Sequence, residues 1–147
     1  MYHGRVFIGG IMQGSIPEMA IHGQDYRARI AGLVRRHYPG VEIVDPFLLH
    51  PNSVRYDRAQ AIETFMAMLD EAAAADVLIA FLPEASLGTA AEIWRAYSAG
   101  KPVYVLSPMV HNWMLWATAT RILEDWESFE TFIAGGGLVP HLSEREA

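Results

Sequence analysis

"DVLIAFLPEASLGTAAEIWRAYSAGKPVYVLSP", Asp76 to Pro108, is the stretch that decides the fold. Behind Asp76 runs an unbroken apolar segment to Pro83, the pattern of a central parallel strand covered on both faces. The next segment has helical character from about Gly88 to Ala99 and stops at Gly100. "KPVYVLSP" then reads as another strand. Strand, helix and strand in succession predict a right-handed crossover between parallel neighbours.

The same alternation extends outward. Arg5 to Gly9 reads as a short buried strand ending at Gly9-Gly10, followed by a loop punctuated by Gly14, Pro17 and Gly23. From Asp25 the spacing turns helical: Tyr26, Ile30, Leu33, Val34 and His37 share one face until Pro39-Gly40. "VEIVDP" predicts a second strand and "FLLHPNSVRYD" a loop. A helix over Arg58 to Ala74 follows, with Ile62, Phe65, Met66, Leu69, Ala72 and Ala73 as its core stripe. "NWMLWATATRILEDW" predicts another helix, and Glu127 to Ala134 a last short one. Gly135-Gly136-Gly137 then releases a polar tail, so residues 135–147 are expected to be flexible. The fold class is α/β, a single open parallel sheet of four to five strands flanked by helices. It is flavodoxin-like, a Rossmann-like three-layer arrangement. Ligands of such sheets bind beyond the carboxyl ends of the strands. Three loops meet there, after Gly9, after Leu82 and after Leu106.

Composition narrows the function classes. The 147 residues suit one domain, 1–147. No cysteine is present, which excludes disulfides and thiolate metal sites. A formal net charge of -6 without a long basic run argues against nucleic-acid binding. No apolar stretch is long enough to span a bilayer, and "MYHGRVFIGG" lacks a signal peptide's apolar core. A cytoplasmic protein is expected. The six histidines show no metal-ligand spacing. Gly9, Gly10 and Gly14 do not make a dinucleotide fingerprint in register, so neither metal nor cofactor is expected.

Glu92 admits two readings. Thr89-Ala-Ala-Glu92 fits a capping box, in which the Thr89 hydroxyl caps the helix and Glu92 reaches back to the Thr89 N–H. Alternatively, Glu92 does chemistry. Its helix starts at the ligand-binding end of the central strand, and Ser86, Gly88 and Thr89 bring hydroxyl and N–H groups to a helix N-terminus.

"ADVLIAFLPEASLGTAAEIWRAYSAGKPV" resembles the nucleoside 2-deoxyribosyltransferase superfamily, which includes the 2'-deoxynucleotide N-hydrolases. The likeness rests on Asp76, Ser86, Glu92 and Gly100-Lys101, on "NWMLW" (Asn112 to Trp116), and on the opening "VFIGGIMQGS". It implies that Glu92 is the nucleophile attacking the anomeric carbon of a nucleoside or nucleotide. It also implies that Gly9, Gly10, Ser86, Gly88, Thr89, Asn112 and Met114 bind substrate. Asn112 and Met114 would reach a neighbouring subunit's site, in a homodimer or higher homo-oligomer with shared active sites. Four consecutive large apolar residues, Trp113 to Trp116, wrap every side of their helix and independently ask for such a cover.

The pattern departs from the family at two places. Val6 stands where the family has a strand Tyr, and Met68 where it has an acid. Asp70 is two residues, roughly 200°, around the helix from that position. Asp45, His50 and Asp70 are therefore alternative acids. Ser86 matches the nucleotide hydrolases, because a hydroxyl tolerates a 5'-phosphate that a carboxylate repels, whereas Asn112 matches the transferases. Two competing readings are a non-catalytic nucleotide-sensing module and a phosphoribohydrolase of the lysine-decarboxylase-like type. "PEASLGT" lacks the Pro-Gly-Gly run of the latter.

Overall fold

The structure is a computed structural model and describes residues 1–145. In chain order its strands are β1 (Tyr2–His3), β2 (Arg5–Gly10), β3 (Glu42–Val44), β4 (Val77–Phe81), β5 (Val103–Leu106), β6 (Arg121–Leu123) and β7 (Ser143–Glu144). The helices are α1 (Asp25–His37), α2 (Pro46–Leu49), α3 (Arg58–Ala74), α4 (Leu87–Ser98), α5 (Trp113–Thr118) and α6 (Trp126–Ala134). Five strands form one parallel sheet in the order β3-β2-β4-β5-β6. That is the doubly wound order of the flavodoxin-like class, with its switch point between β2 and β4.

Side-chain alternation along β2 builds both layers of the core. Val6 and Ile8 join the cluster with Ile30 and Val34 of α1 and Phe129 and Ile133 of α6. Phe7 faces the other way, into a cluster with Ala72 of α3, Ile93 and Ala96 of α4, and Leu115 of α5. Leu78, Ile79 and Ala80 of β4 are completely buried, as a doubly covered strand requires. Each fully buried large aliphatic side chain contributes about 1.5–3 kcal/mol.

Four local expectations are corrected. The helix expected over 112–126 ends at Thr118, and Arg121–Leu123 forms the sheet's fifth strand. Thr120 starts that pairing: its N–H donates to Val103 O at 2.7 Å and its hydroxyl accepts from Val103 N at 3.0 Å. Thr118, Thr120 and Ile122 carry the period-2, β-branched signal that the tryptophan spacing hides. The loop after β3 contains α2, capped by Asp45 and begun by Pro46, and a 3₁₀ turn over Ser53–Arg55. On α3 the expected core stripe is largely outside: Ile62, Phe65 and Met66 are exposed, and Ala72 alone is fully buried. Finally, the chain beyond Gly137 folds back, with a 3₁₀ turn over Val139–His141 and β7 pairing antiparallel with β1. Residues 146–147 of the expected tail lie outside the described residues.

Candidate active site

The carboxyl ends of β2 and β4 place three groups around one rim. β2 ends in Gly9-Gly10. α4 starts just after β4 and is capped by Ser86, whose Oγ accepts from Thr89 N at 3.4 Å and from the Thr89 hydroxyl at 3.0 Å. Ser86 therefore caps α4, and the Thr89–Glu92 capping box is not formed. Thr89 is a buried residue of the first turn, and Glu92 is released from any capping duty.

Glu92 points back at β2. A Cβ built on Gly9 would stand 3.5 Å from Glu92 Oε2, an ordinary contact distance. Oε2 is sealed from solvent and has no hydrogen-bond partner. Burial raises its carboxyl to about 8; the Arg27 guanidinium opposes that rise and the Asp45 carboxylate adds to it.

Beneath the rim lies a buried ion pair that the sequence reading did not single out. Arg27 Nη1 is 3.0 Å from Asp45 Oδ1, with both side chains almost fully buried. The same guanidinium donates to Ile8 O at 3.0 Å, to Gly10 O at 3.3 Å and, through Nε, to Gln24 Oε1 at 2.7 Å. These bonds offset the desolvation that a buried pair incurs and tie α1 to the end of β2. A signal existed: Arg27 shares the spacing of the buried Ile30, Ala31 and Val34, and a charge on a core stripe needs a partner.

Tyr26 completes this floor. Its ring stacks on Phe81 at 4.4 Å, and its hydroxyl donates to Ile11 O at 2.9 Å. A Cβ on Gly10 would collide with the Tyr26 ring and hydroxyl. Burial holds the phenol well above its ordinary range, with Asp45 and Glu92 adding to the rise and Arg27 opposing it. Val6 of β2 carries no hydroxyl, and α1 brings a phenol, that of Tyr26, to the end of the same strand.

Of the substrate-binding candidates, Ser86, Asn112 and Met114 come together. They line a cavity of about 400 Å³ with Gly14, Ser15, Ala90 and Met109 among its walls. Asn112 Oδ1 also caps α5, accepting from Leu115 N at 3.2 Å. Gly9 lies against Glu92, whereas Gly10 is occupied by Tyr26. Gly88 turns toward Phe65 of α3, at 3.8 Å from its built Cβ. Glu92 itself is not among the walls of this cavity. A larger, more open depression of about 590 Å³ lies at the end of α6, lined by Arg121, Phe132 and Gly135 to Gly137. Those three glycine N–H groups are spent on α6 carbonyls, so they offer a ligand nothing.

The alternative acids fare differently. Asp45 is near Glu92 but is held by Arg27 and by the N–H of Phe47. His50 Nδ1 is 2.8 Å from the Tyr56 hydroxyl. Asp70 is exposed and faces Arg95 at 3.4 Å, on the outer side of the helical layer. Among the described residues no cluster of three or more His, Asp or Glu could hold a metal, and no helix is long and apolar enough to cross a membrane.

No family model matches the chain, and no curated protein matches it in sequence. Solved structures share its fold. The 2-deoxyribosyltransferase of the psychrotolerant bacterium Bacillus psychrosaccharolyticus superposes with a TM-score of 0.65 at 19% identity, over 86% of this chain and 90% of that one. A conserved protein from Enterococcus faecalis V583 gives 0.61 at 18%, over 90% and 98%. The CMP N-glycosidase BcmB of Clostridium botulinum gives 0.50 at 18%, over 86% and 94%. The fold implied by the sequence resemblance is therefore the fold observed.

Proposed function

We propose that this protein cleaves the N-glycosidic bond of a (deoxy)nucleoside or nucleoside 5'-monophosphate, with Glu92 as nucleophile. The observation that carries the reading is the position of Glu92: uncapped, its Oε2 sealed and unpartnered, and turned against the side-chain-free Gly9 at the switch point. A carboxylate there can approach an anomeric carbon over Gly9 without a side chain in the way. Attack forms a glycosyl ester on Glu92 as the base departs, and water or a second base then takes the sugar. The fold neighbours named for deoxyribosyl transfer and for CMP N-glycoside cleavage support this class of chemistry.

Ser86, Asn112 and Met114 suit the substrate's polar and apolar surfaces in the adjoining cavity. Because Glu92 stands off that cavity within one chain, a second copy is proposed to complete the site, in a homodimer or higher assembly. Trp113, at 83% exposure, and Trp116, at 57%, are the apolar surface that such a neighbour covers.

The test is base release from a panel of nucleosides and 5'-monophosphates, with and without an acceptor base. Glu92→Gln is expected to keep the fold and to lose several orders of magnitude of turnover, because an amide is a poor nucleophile. Ser86→Asp is expected to harm nucleotides more than nucleosides by charge repulsion. Near-wild-type release by Glu92→Gln ends the reading. A wild type that binds nucleotides but releases no base leaves a sensing module, the role that the off-cavity position of Glu92 favours.

A further inference from the structure

A leaving base needs a proton, and none of Asp45, His50 and Asp70 is placed to give one. One titratable pair on the rim is left without a role. His22, in the loop between β2 and α1, has Nε2 3.0 Å from Glu84 Oε1, in the loop between β4 and α4. The contact is an ion-pair approach without the alignment of a hydrogen bond, and Nε2 is sealed from solvent. It joins the two loops that border the switch point.

The location of the pair is fixed from both sides. Gln24 Nε2 donates to His22 O at 2.7 Å and to Ile11 O at 3.0 Å, which pins the loop to the end of β2. His22 N donates to Met12 O at 2.6 Å. The imidazole lies against Gly14, 2.6 Å from where its Cβ would be, and Gly14 is a wall of the Ser86–Asn112 cavity. Glu84 is two residues before Ser86, another wall. The side chain of His22 remains 31% exposed although its Nε2 is sealed, so the ring meets solvent through its other atoms.

We infer that His22, held by Glu84, is the proton donor to the departing base. This rests on the glycosidase reading of Glu92 and deepens it. In the first step a Glu92 oxygen bonds to C1' and the C1'–N bond breaks. Its electron pair goes to the base, which takes the proton of the imidazolium at a ring nitrogen or carbonyl oxygen. In the second step water attacks C1', the Glu92–C1' bond breaks with its pair returning to the carboxylate, and the neutral imidazole takes the proton of the water. Imidazole suits both directions because its ring nitrogens can both give and take a proton. Glu84 supplies the countercharge for the imidazolium.

Two substrates separate this from a structural latch: the nucleoside that the wild type cleaves best, and the same sugar carrying 4-nitrophenolate, which departs without a proton. His22→Gln is expected to slow first-turnover base release by roughly 10²-fold or more, the usual share of a general acid, while leaving the first-turnover burst of 4-nitrophenolate, which precedes the water step that also uses His22, close to wild type. Glu84→Gln is expected to show the same selectivity at smaller size. Equal losses on both substrates, or none on either, overturn the assignment. So does a wild type that releases only 4-nitrophenolate, an outcome that leaves Glu92 as nucleophile intact. Glu92→Gln is expected to abolish both reactions. If the wild type cleaves neither compound, the glycosidase reading fails and the proton-donor role falls with it.

Discussion

For Glu92 the governing quantity is the cost of ionising a sealed carboxyl beside one buried cation and one buried anion. Its ordinary value of 4.5 rises to about 8 in the fold. Between those two pH values the folded chain keeps a proton that the unfolded chain has released. Stability therefore falls as pH rises through the window and levels off above it. Glu92→Gln removes the titration. Its stability relative to wild type is expected to climb from pH 4.5 to pH 8, by on the order of a few kcal/mol. Denaturant melts at the two ends of the window measure this, and a gap that does not change with pH contradicts it. The nucleophile must be ionised, so on the 4-nitrophenolate substrate, which needs no proton donor, kcat/KM should rise with pH toward about 8. Arg27→Met removes the cation that opposes the rise and strands Asp45. It is expected to cost about 3–5 kcal/mol and to move the acid limb of the pH profile upward.

Among the elements, β2 shows how one strand serves two faces. Gly9 and Gly10 are neighbours in sequence, but their missing side chains point in opposite directions. Gly9→Ala places a methyl at an ordinary 3.5 Å from Glu92 Oε2, so the fold should tolerate it within about 1 kcal/mol. Base release should nevertheless drop, because the methyl occupies the approach to the carboxylate. Gly10→Ala drives a methyl into the Tyr26 ring, which Phe81 and Ile11 hold in place. It is expected to destabilise by about 1–3 kcal/mol. Melting curves and turnover of the two variants form the comparison, and the idea fails if Gly10→Ala is the milder of the two for stability.

β2 and β4 were legible in the sequence because buried parallel strands are unbroken apolar runs. β6 was not, because an edge strand of three residues follows a helix whose tryptophans continue its period. Glu92 stood out by type and spacing, but its orientation depended on whether Ser86 or Thr89 caps α4, three residues apart with the same hydroxyl chemistry. Arg27 and His22 were hidden for another reason. Each acts through a partner far along the chain, Asp45 and Glu84, and the topology alone brings those pairs together.

At the scale of the whole molecule, the helical layer over α3, α4 and α5 presents an imbalance. Phe65 and Met66 on α3, Trp94 and Tyr97 on α4, and Trp113 and Trp116 on α5 are all exposed. The layer of α1 and α6 shows nothing comparable, since Tyr26, Ile30, Phe129 and Ile133 are buried. Scattered apolar residues need no explanation, but large side chains gathered on one layer mark an interaction surface. The sequence asks for the same thing twice, in the all-round apolar wrap of α5 and in the core-like stripe of α3. A stable pair of subunits buries roughly 1,200–2,000 Å² in all. Light scattering at micromolar concentration is expected to show at least a dimer. Phe65 and Trp94 are 42% and 57% exposed in the single chain, so Phe65→Asp with Trp94→Asp should leave each subunit folded. The expected result is a monomer with native circular dichroism and reduced base release, because the site would lose the neighbour proposed to complete it. A wild type that is monomeric at that concentration, or a monomeric double variant with full activity, refutes the shared site while leaving the chemistry of Glu92 to be judged within one chain.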